Sequence, residues 1–220
     1  MKKFAIIVAG GIGTRMRSDL PKQFLLLHNK PILYYTIKKF LDAFSDLSVI
    51  LVLPEEYISM GQEIVDGFFD HTRVHITSGG RTRFHSVQKG LQCVEGESII
   101  FVHDGVRCMV SEDLIQRCYQ VASDFGTAIP VVPLNDSIRM INGDDNEPLE
   151  RDNIRCVQTP QTFHSGIILP AYAIDYKEKF TDEATVVEAY GLKVHLVEGD
   201  PDNIKITKPV DLVLAELLLE

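Results

Sequence analysis

Apolar, β-rich runs recur along this chain, most of them continuous and two of them interrupted by polar residues. They occur at 4–9 (FAIIVA), 48–53 (SVILVL), 73–77, 98–103 (SIIFVH), 127–133 (TAIPVVP) and 193–197. Runs of this length and β-rich composition predict strands that are buried on both faces. Between them the spacing changes to that of helices. Residues 31–43 start at Pro31, whose fixed φ suits a first helical turn. Residues 83–94 put Phe84, Val87, Leu91 and Val94 on one stripe. Residues 112–125 follow Ser111, an expected N-cap, with Glu112 and Asp113 favourable to the helix dipole. A last helix over 208–219 has Thr207 as its expected cap and Pro209 in its first turn. Strands that alternate with amphipathic helices predict an α/β, Rossmann-like fold: a mainly parallel twisted sheet with helices on both faces.

One segment breaks this rhythm. Residues 135–155 (NDSIRMINGDDNEPLERDNIR) are polar and long for a connection. Ser137 to Ile141 resembles a strand, and Asn142-Gly143 is a hairpin signal. Composition alone favours a surface loop here over a protruding arm.

A length of 220 residues with 45% hydrophobic and 24% charged residues suits one domain, 1–220, with a full core. Acids outnumber bases, 31 against 22, and the net charge is −9, which argues against a nucleic-acid partner. The opening MKKFAIIVAGG carries an apolar run too short to span a membrane, so a strand is expected and no membrane partner. The four cysteines, at 93, 108, 118 and 156, form no C-x-x-C pair. They read as reduced thiols of a cytoplasmic protein, without a zinc framework or redox motif.

An acidic chain nevertheless sets VAGGIGTRMRSDLPKQF, residues 8–24, directly after its first strand. In a doubly wound sheet ligands bind beyond the carboxyl ends of strands. Glycines there let backbone N–H groups approach an anion. A P-loop needs Gly-Lys-Ser/Thr, which is absent. A dinucleotide fingerprint needs a third glycine and an acid to bind ribose after LVL, where Pro54 stands instead. A third reading is a loop for a nucleoside triphosphate, whose tail Arg15 and Lys22 would neutralise; a plain glycine turn with solvated basic residues stands beside it.

GGIGTRM…PKQF resembles the nucleotide loop of sugar nucleotidyltransferases, and its Pro-Lys-Gln form resembles the 2-C-methyl-D-erythritol 4-phosphate cytidylyltransferase family. GGRTRFHSV (79–87), VHDGVR (102–107), QTPQTF (158–163), TDEA (181–184) and DNIKIT (202–207) follow in that family's order over nearly the whole chain. One departure is Cys108, where the family usually has proline. The resemblance implies cytidylyl transfer from CTP to a polyol phosphate, with Arg15, Lys22 and Lys205 as catalytic cations. It implies substrate contacts from Ala9, Gly10, Gly11 and Gly13, from Gly80, Arg81 and Ser86 around the cytosine, and from Asp104, Arg107, Thr159 and Thr181. Mg2+ is the implied cofactor, with Asp104 as the better ligand and Asp202 the weaker. The polar stretch 135–155 becomes a β-hairpin arm of a homodimer, delivering Ser137 and Arg151 to the partner's site. His103, beside Asp104, reads as strand-end packing, because phosphoryl transfer from an already anionic phosphate needs no base. The residues alone do not separate this acceptor from ribitol 5-phosphate. Two rivals of other classes are a nucleotide-binding regulator, disfavoured by the intact basic trio, and a dehydrogenase, which nicotinamide binding would revive.

Overall fold

The computed structural model describes residues 1–11, 16 and 20–219. Its centre is a parallel ribbon of β1 (Lys2–Val8), β4 (Leu47–Leu53), β5 (Val74–Ser78) and β6 (Ser98–Asp104). β1 lies between β6 and β4, and β5 closes the edge beyond β4. Beyond β6 the sheet turns antiparallel: β11 (Gln161–His164) pairs with β6 and with β7 (Thr127–Pro133), and β10 (Arg155–Val157) pairs with β7. β12 (Leu196–Glu198) runs parallel to β7. The expected strands at 73–77 and 193–197 are therefore shifted by a residue or more, and β10 and β11 are additions that the hydrophobic pattern did not announce.

Side chains along each central strand alternate between two cores. Ala5, Ile7, Val49, Leu51, Ile99 and Phe101 face α1 (Ile32–Ala43), α2 (Ile58–Phe68) and α4 (Glu112–Phe125). Ile6, Ile50, Val52, Ile100 and Val102 face α3 (Arg83–Leu91), α5 (Ser165–Ala171) and α6 (Glu183–Ala189). Both faces are apolar, which is why these strands read as continuous runs. α3 ends at Leu91, short of the expected 94, but Val94 still packs on the second core.

A third, smaller core joins the N-terminal loop to the C-terminus. It contains Met16, Leu27, Ile32, Val106, Cys108, Ile206 and Ala215. Leu27 comes from a short hairpin, β2 (Leu26–Leu27) and β3 (Lys30–Pro31), whose turn residues His28 and Asn29 both have positive φ. Ala215 comes from α7 (Pro209–Leu218). Here the expected cap is corrected: Lys208 is the N-cap, and the Asp211 carboxylate reaches back to the N–H groups of Thr207 and Lys208 at 2.7 and 2.8 Å. Cys108, at the departure from the family pattern, is wholly buried in this core, where burial pushes its thiol up to about 12.

Within 135–155, β8 (Arg139–Asn142) and β9 (Asp145–Pro148) form an exposed hairpin with Gly143 at φ +63 in its turn, and the rest includes a 3-10 turn at Arg151–Asn153 and the start of β10. The hairpin pairs with no other strand among the described residues. No helix among them is long and apolar enough to cross a membrane.

Candidate functional site

The strands of the parallel ribbon end together. The Ala9 N–H donates to the Val52 carbonyl at 3.0 Å, Gly79 to Leu53 at 2.7 Å and Gly105 to Val8 at 2.9 Å, so three loops leave from one rim. They enclose a cavity of about 540 Å³, and its lining includes Ala9, Gly10, Gly11, Lys22, Gly80, Arg81, Ser86, Asp104 and Lys205. Two acids that the sequence reading did not assign to the site, Glu55 and Glu56, also line this cavity.

The turn at Gly79-Gly80 is a sterically required one. A Cβ on Gly80 would lie 2.5 Å from the His85 Cβ and 3.0 Å from its backbone carbon. Ser86 holds the turn: the Gly80 N–H donates to its Oγ at 3.1 Å, and the Oγ lies 3.0 Å from the Thr82 carbonyl. The Ser86 hydroxyl is thus engaged in shaping the wall, and Ser86 still lines the cavity.

Asp104 ends β6 at the cavity floor. Its Oδ2 is 2.8 Å from the Lys205 ammonium and 3.6 Å from Arg107 Nε; its Oδ1 is 3.3 Å from Arg83 Nη2. Burial alone would raise this carboxyl, but Arg83, Lys205 and Arg107 outweigh it and hold Asp104 far below the ordinary carboxylate range. Asp104 is therefore an anion at every working pH.

Lys205 reaches this point because its segment is strapped from several sides. The Ile206 N–H donates to the Val106 carbonyl at 3.0 Å, and Lys22 Nζ donates to the Ile206 carbonyl at 2.9 Å. Arg107 Nη1 donates to the Asn203 carbonyl at 2.8 Å, and Asn203 Nδ2 to the Thr159 carbonyl at 2.8 Å. Gln158 grips the same loop through the Asp200 backbone, donating from Nε2 at 2.8 Å and accepting at Oε1 at 3.1 Å. Gln23, next to Lys22, donates to the Ala9 carbonyl at 2.7 Å and so ties the Lys22 turn to the end of β1.

Beneath Asp104 lies a closed polar relay. His103 is fully buried. One ring nitrogen, Nε2, faces the Arg107 carbonyl at 3.1 Å, which only accepts, so Nε2 carries the proton. Nδ1 then accepts from the Thr159 hydroxyl at 2.9 Å, and the Thr159 Oγ1 accepts from the Asp104 N–H at 3.1 Å. Burial pushes this imidazole down to about 4, so it is neutral. The packing role read for His103 holds. Thr159 is buried in this relay and does not line the cavity, and neither does Arg107.

The chain and its fold have counterparts among known proteins. The sequence profile of the 2-C-methyl-D-erythritol 4-phosphate cytidylyltransferase family matches residues 4–220. The chain belongs to this family. A relative of that name from Phocaeicola vulgatus is 42% identical over the whole of both chains. The crystal structure of the 2-C-methyl-D-erythritol 4-phosphate cytidylyltransferase of Francisella tularensis is 30% identical, with a TM-score of 0.83 over 99% of this chain and 100% of that one. A 4-diphosphocytidyl-2C-methyl-D-erythritol synthase from Anaerococcus prevotii is 26% identical, with a TM-score of 0.84 over 99% and 98%.

For a cytidylyltransferase, the expected site residues are placed unevenly. Lys22, Asp104 and Lys205 meet at the cavity with the glycine-rich walls. Gly13 and Arg15 lie outside the described residues. Ser137 and Arg151 are exposed on or beside the hairpin; the Arg151 Nη1 donates to the Asn135 carbonyl at 2.8 Å. Thr181 and Asp202 are exposed and outside the cavity lining. Arg83, Gln158, Glu183 and Asn203 are site supports that the sequence reading passed over. Their signal was present: each falls inside or beside a motif already matched to the family (GGRTRFHSV, QTPQTF, TDEA and DNIKIT).

Proposed function

We propose that this protein transfers a cytidylyl group from CTP to 2-C-methyl-D-erythritol 4-phosphate. The observation that carries the reading is the meeting of Lys22, Asp104 and Lys205, from three distant parts of the chain, at the carboxyl rim of the sheet. A phosphate oxygen of the acceptor attacks the α-phosphorus of CTP. The new P–O bond forms as the bond to the β-phosphate bridge breaks, and pyrophosphate departs with that electron pair. The acceptor phosphate has a second pKa of about 6, so it needs no general base. Two anions must meet, and negative charge grows on the leaving group; fixed cations therefore supply most of the catalysis. Lys22 and Lys205 line the cavity to do so, with Arg15 assigned to the same triphosphate. The Gly10-Gly11 and Gly79-Gly80 walls would present backbone to the nucleotide, and exposed Arg81 lines the same cavity.

Mg2+ takes a carboxylate or two together with phosphate oxygens. Asp104, ionised and lining the cavity, fits as one protein ligand. Asp202 lies outside the cavity lining, and no cluster of three candidate ligands occurs among the described residues. We assign Asp104 to hold the ion together with the triphosphate; bound there, it would supply positive charge against the phosphates. We also read the hairpin as the arm of a homodimer, since an isolated two-stranded hairpin is marginal in water and gains from a second copy. Four free cysteines, two of them buried, fit the reducing cytoplasm.

The test is pyrophosphate release with CTP, Mg2+ and one acceptor at a time. Turnover with 2-C-methyl-D-erythritol 4-phosphate, and far less with ribitol 5-phosphate, is expected. Preference for ribitol 5-phosphate, or no release with either, overturns the reading.

A further inference from the structure

Glu183 is completely buried at the start of α6, behind the cavity and outside its lining. It grips Arg83 with both oxygens: Nη1 binds Oε1, and Nη2 binds Oε2 at 3.0 Å. The Tyr172 hydroxyl donates to Oε1 at 3.2 Å. The same guanidinium turns its Nε and Nη2 toward Asp104 Oδ1 at 3.4 and 3.3 Å. Asp104 presents its other oxygen to Lys205 at 2.8 Å. Tyr172, Glu183, Arg83, Asp104 and Lys205 thus form one chain of contacts from the apolar core to the cavity.

A buried ion pair contributes little net stability, because desolvation offsets the attraction. An apolar side chain would fill this core position beside Val186 and Val187 as well. What Glu183 supplies is charge balance and direction. Arg83, Arg107 and Lys205 make three cations around the carboxylates of Asp104 and Glu183, a net charge of +1. Without the charge of Glu183 the net is +2 around Asp104 alone. The added repulsion falls on the member that is most exposed and on the longest flexible stem, which is Lys205.

We propose that Glu183 is a positioning residue: by anchoring Arg83 from behind, it keeps the Asp104 carboxylate turned to Lys205 and so holds that ammonium at the cavity. The catalytic consequence rests on the cytidylyltransferase reading; the positional one does not.

The experiment therefore has two readouts on Glu183→Gln, which keeps the size and the Tyr172 contact, with folding checked by thermal melting. The first is substrate-free labelling of lysines with an amine-directed reagent, resolved by peptide mass spectrometry. Lys205 is expected to react several-fold faster than in the wild type, with exposed Lys179 and Lys193 unchanged. The second is turnover. kcat is expected to fall about 10- to 100-fold, the scale of a misplaced catalytic group, while CTP affinity by calorimetry is equal or tighter because the cavity has become more positive. A folded variant with wild-type labelling at Lys205 overturns the proposal whatever turnover shows. Weaker CTP binding with unchanged kcat also overturns it, since that is a structural role. If Glu183→Gln does not fold, Glu183→Asp, which withdraws the charge by one methylene, carries the same labelling test. A wild type that labels as expected but releases no pyrophosphate counts against the reaction, not against the positioning.

Discussion

His103 shows how a residue beside the reacting groups serves the fold. Its imidazole is neutral in the native state, at about 4 against an ordinary 6.5, chiefly through burial. Between those values the unfolded chain binds the proton and the native one does not, so stability rises with pH there. The contribution is complete above about pH 7 and lost as the pH falls toward 4. Urea unfolding is expected to show about 2 kcal/mol less stability at pH 5 than at pH 7 from this group. In His103→Gln, which donates and accepts but does not titrate, that slope should flatten. Asp104 acts in a separate, lower window: its folded value is depressed, so its contribution is present above about pH 4 and lost below it. For the cavity cations, Lys22→Ala or Lys205→Ala is expected to reduce kcat by at least about 100-fold, the size of one lost transition-state donor. Pyrophosphate assays on each variant check this, and near-normal rates in both would remove the mechanism. Lys22 was legible from its motif. Its hydrogen bond to the carbonyl next to Lys205 was not, because 184 residues separate the two in sequence.

Among elements, α7 carries a load its composition hides. Val210, Val213, Leu214 and Leu217 are exposed, and only Ala215 is buried. It is anchored by Asp211, which binds the Thr207 hydroxyl at 2.9 Å besides two backbone N–H groups. Those groups lower the Asp211 carboxyl despite the upward push of burial. Asp211→Ala is expected to cost about 1 kcal/mol, the usual worth of a cap, and to lower Tm by about 2–4 °C. Calorimetry measures the shift, and an unchanged Tm would show that the turn stands without the carboxylate. The same scale explains what sequence reading missed. β11 has buried Gln161 and Thr162, which look like loop residues. Gln161 is buried because it donates to Asp182 at 2.9 Å and accepts from the Ala184 N–H at 2.8 Å. α5 contains Gly166 and Pro170, which weaken a helical pattern that tertiary packing restores.

For the whole molecule, the open matter is the hairpin arm. If Arg151 works in the partner's site, an Arg151→Ala subunit keeps a sound cavity and a Lys22→Ala subunit a sound arm. Each homodimer should be nearly inactive. Random mixing makes about half the dimers mixed, each with one intact site under two-fold symmetry, so activity should recover to roughly a quarter of the wild type. Co-refolding and assay of the mixture measure this. Recovery no greater than the parental average, with exchange confirmed, would rule out an arm acting in trans.

The sequence by itself determined the central strands, α1 and α4, the hairpin turn and the positions of the motifs. These are set by local chemistry: unbroken apolar runs bury on both faces, Ser111 caps from its own hydroxyl, and Gly143 takes positive φ. Only the tertiary structure decided which motif residues share a space. It brought Lys205 to Asp104, turned Thr159 inward to His103, left Thr181 and Asp202 outside, and placed buried Glu183 behind Arg83. The physical reason is that burial and charge pairing depend on contacts between chain segments far apart. A glutamate in TDEA looks solvated until the neighbouring guanidinium and the core around it are in place.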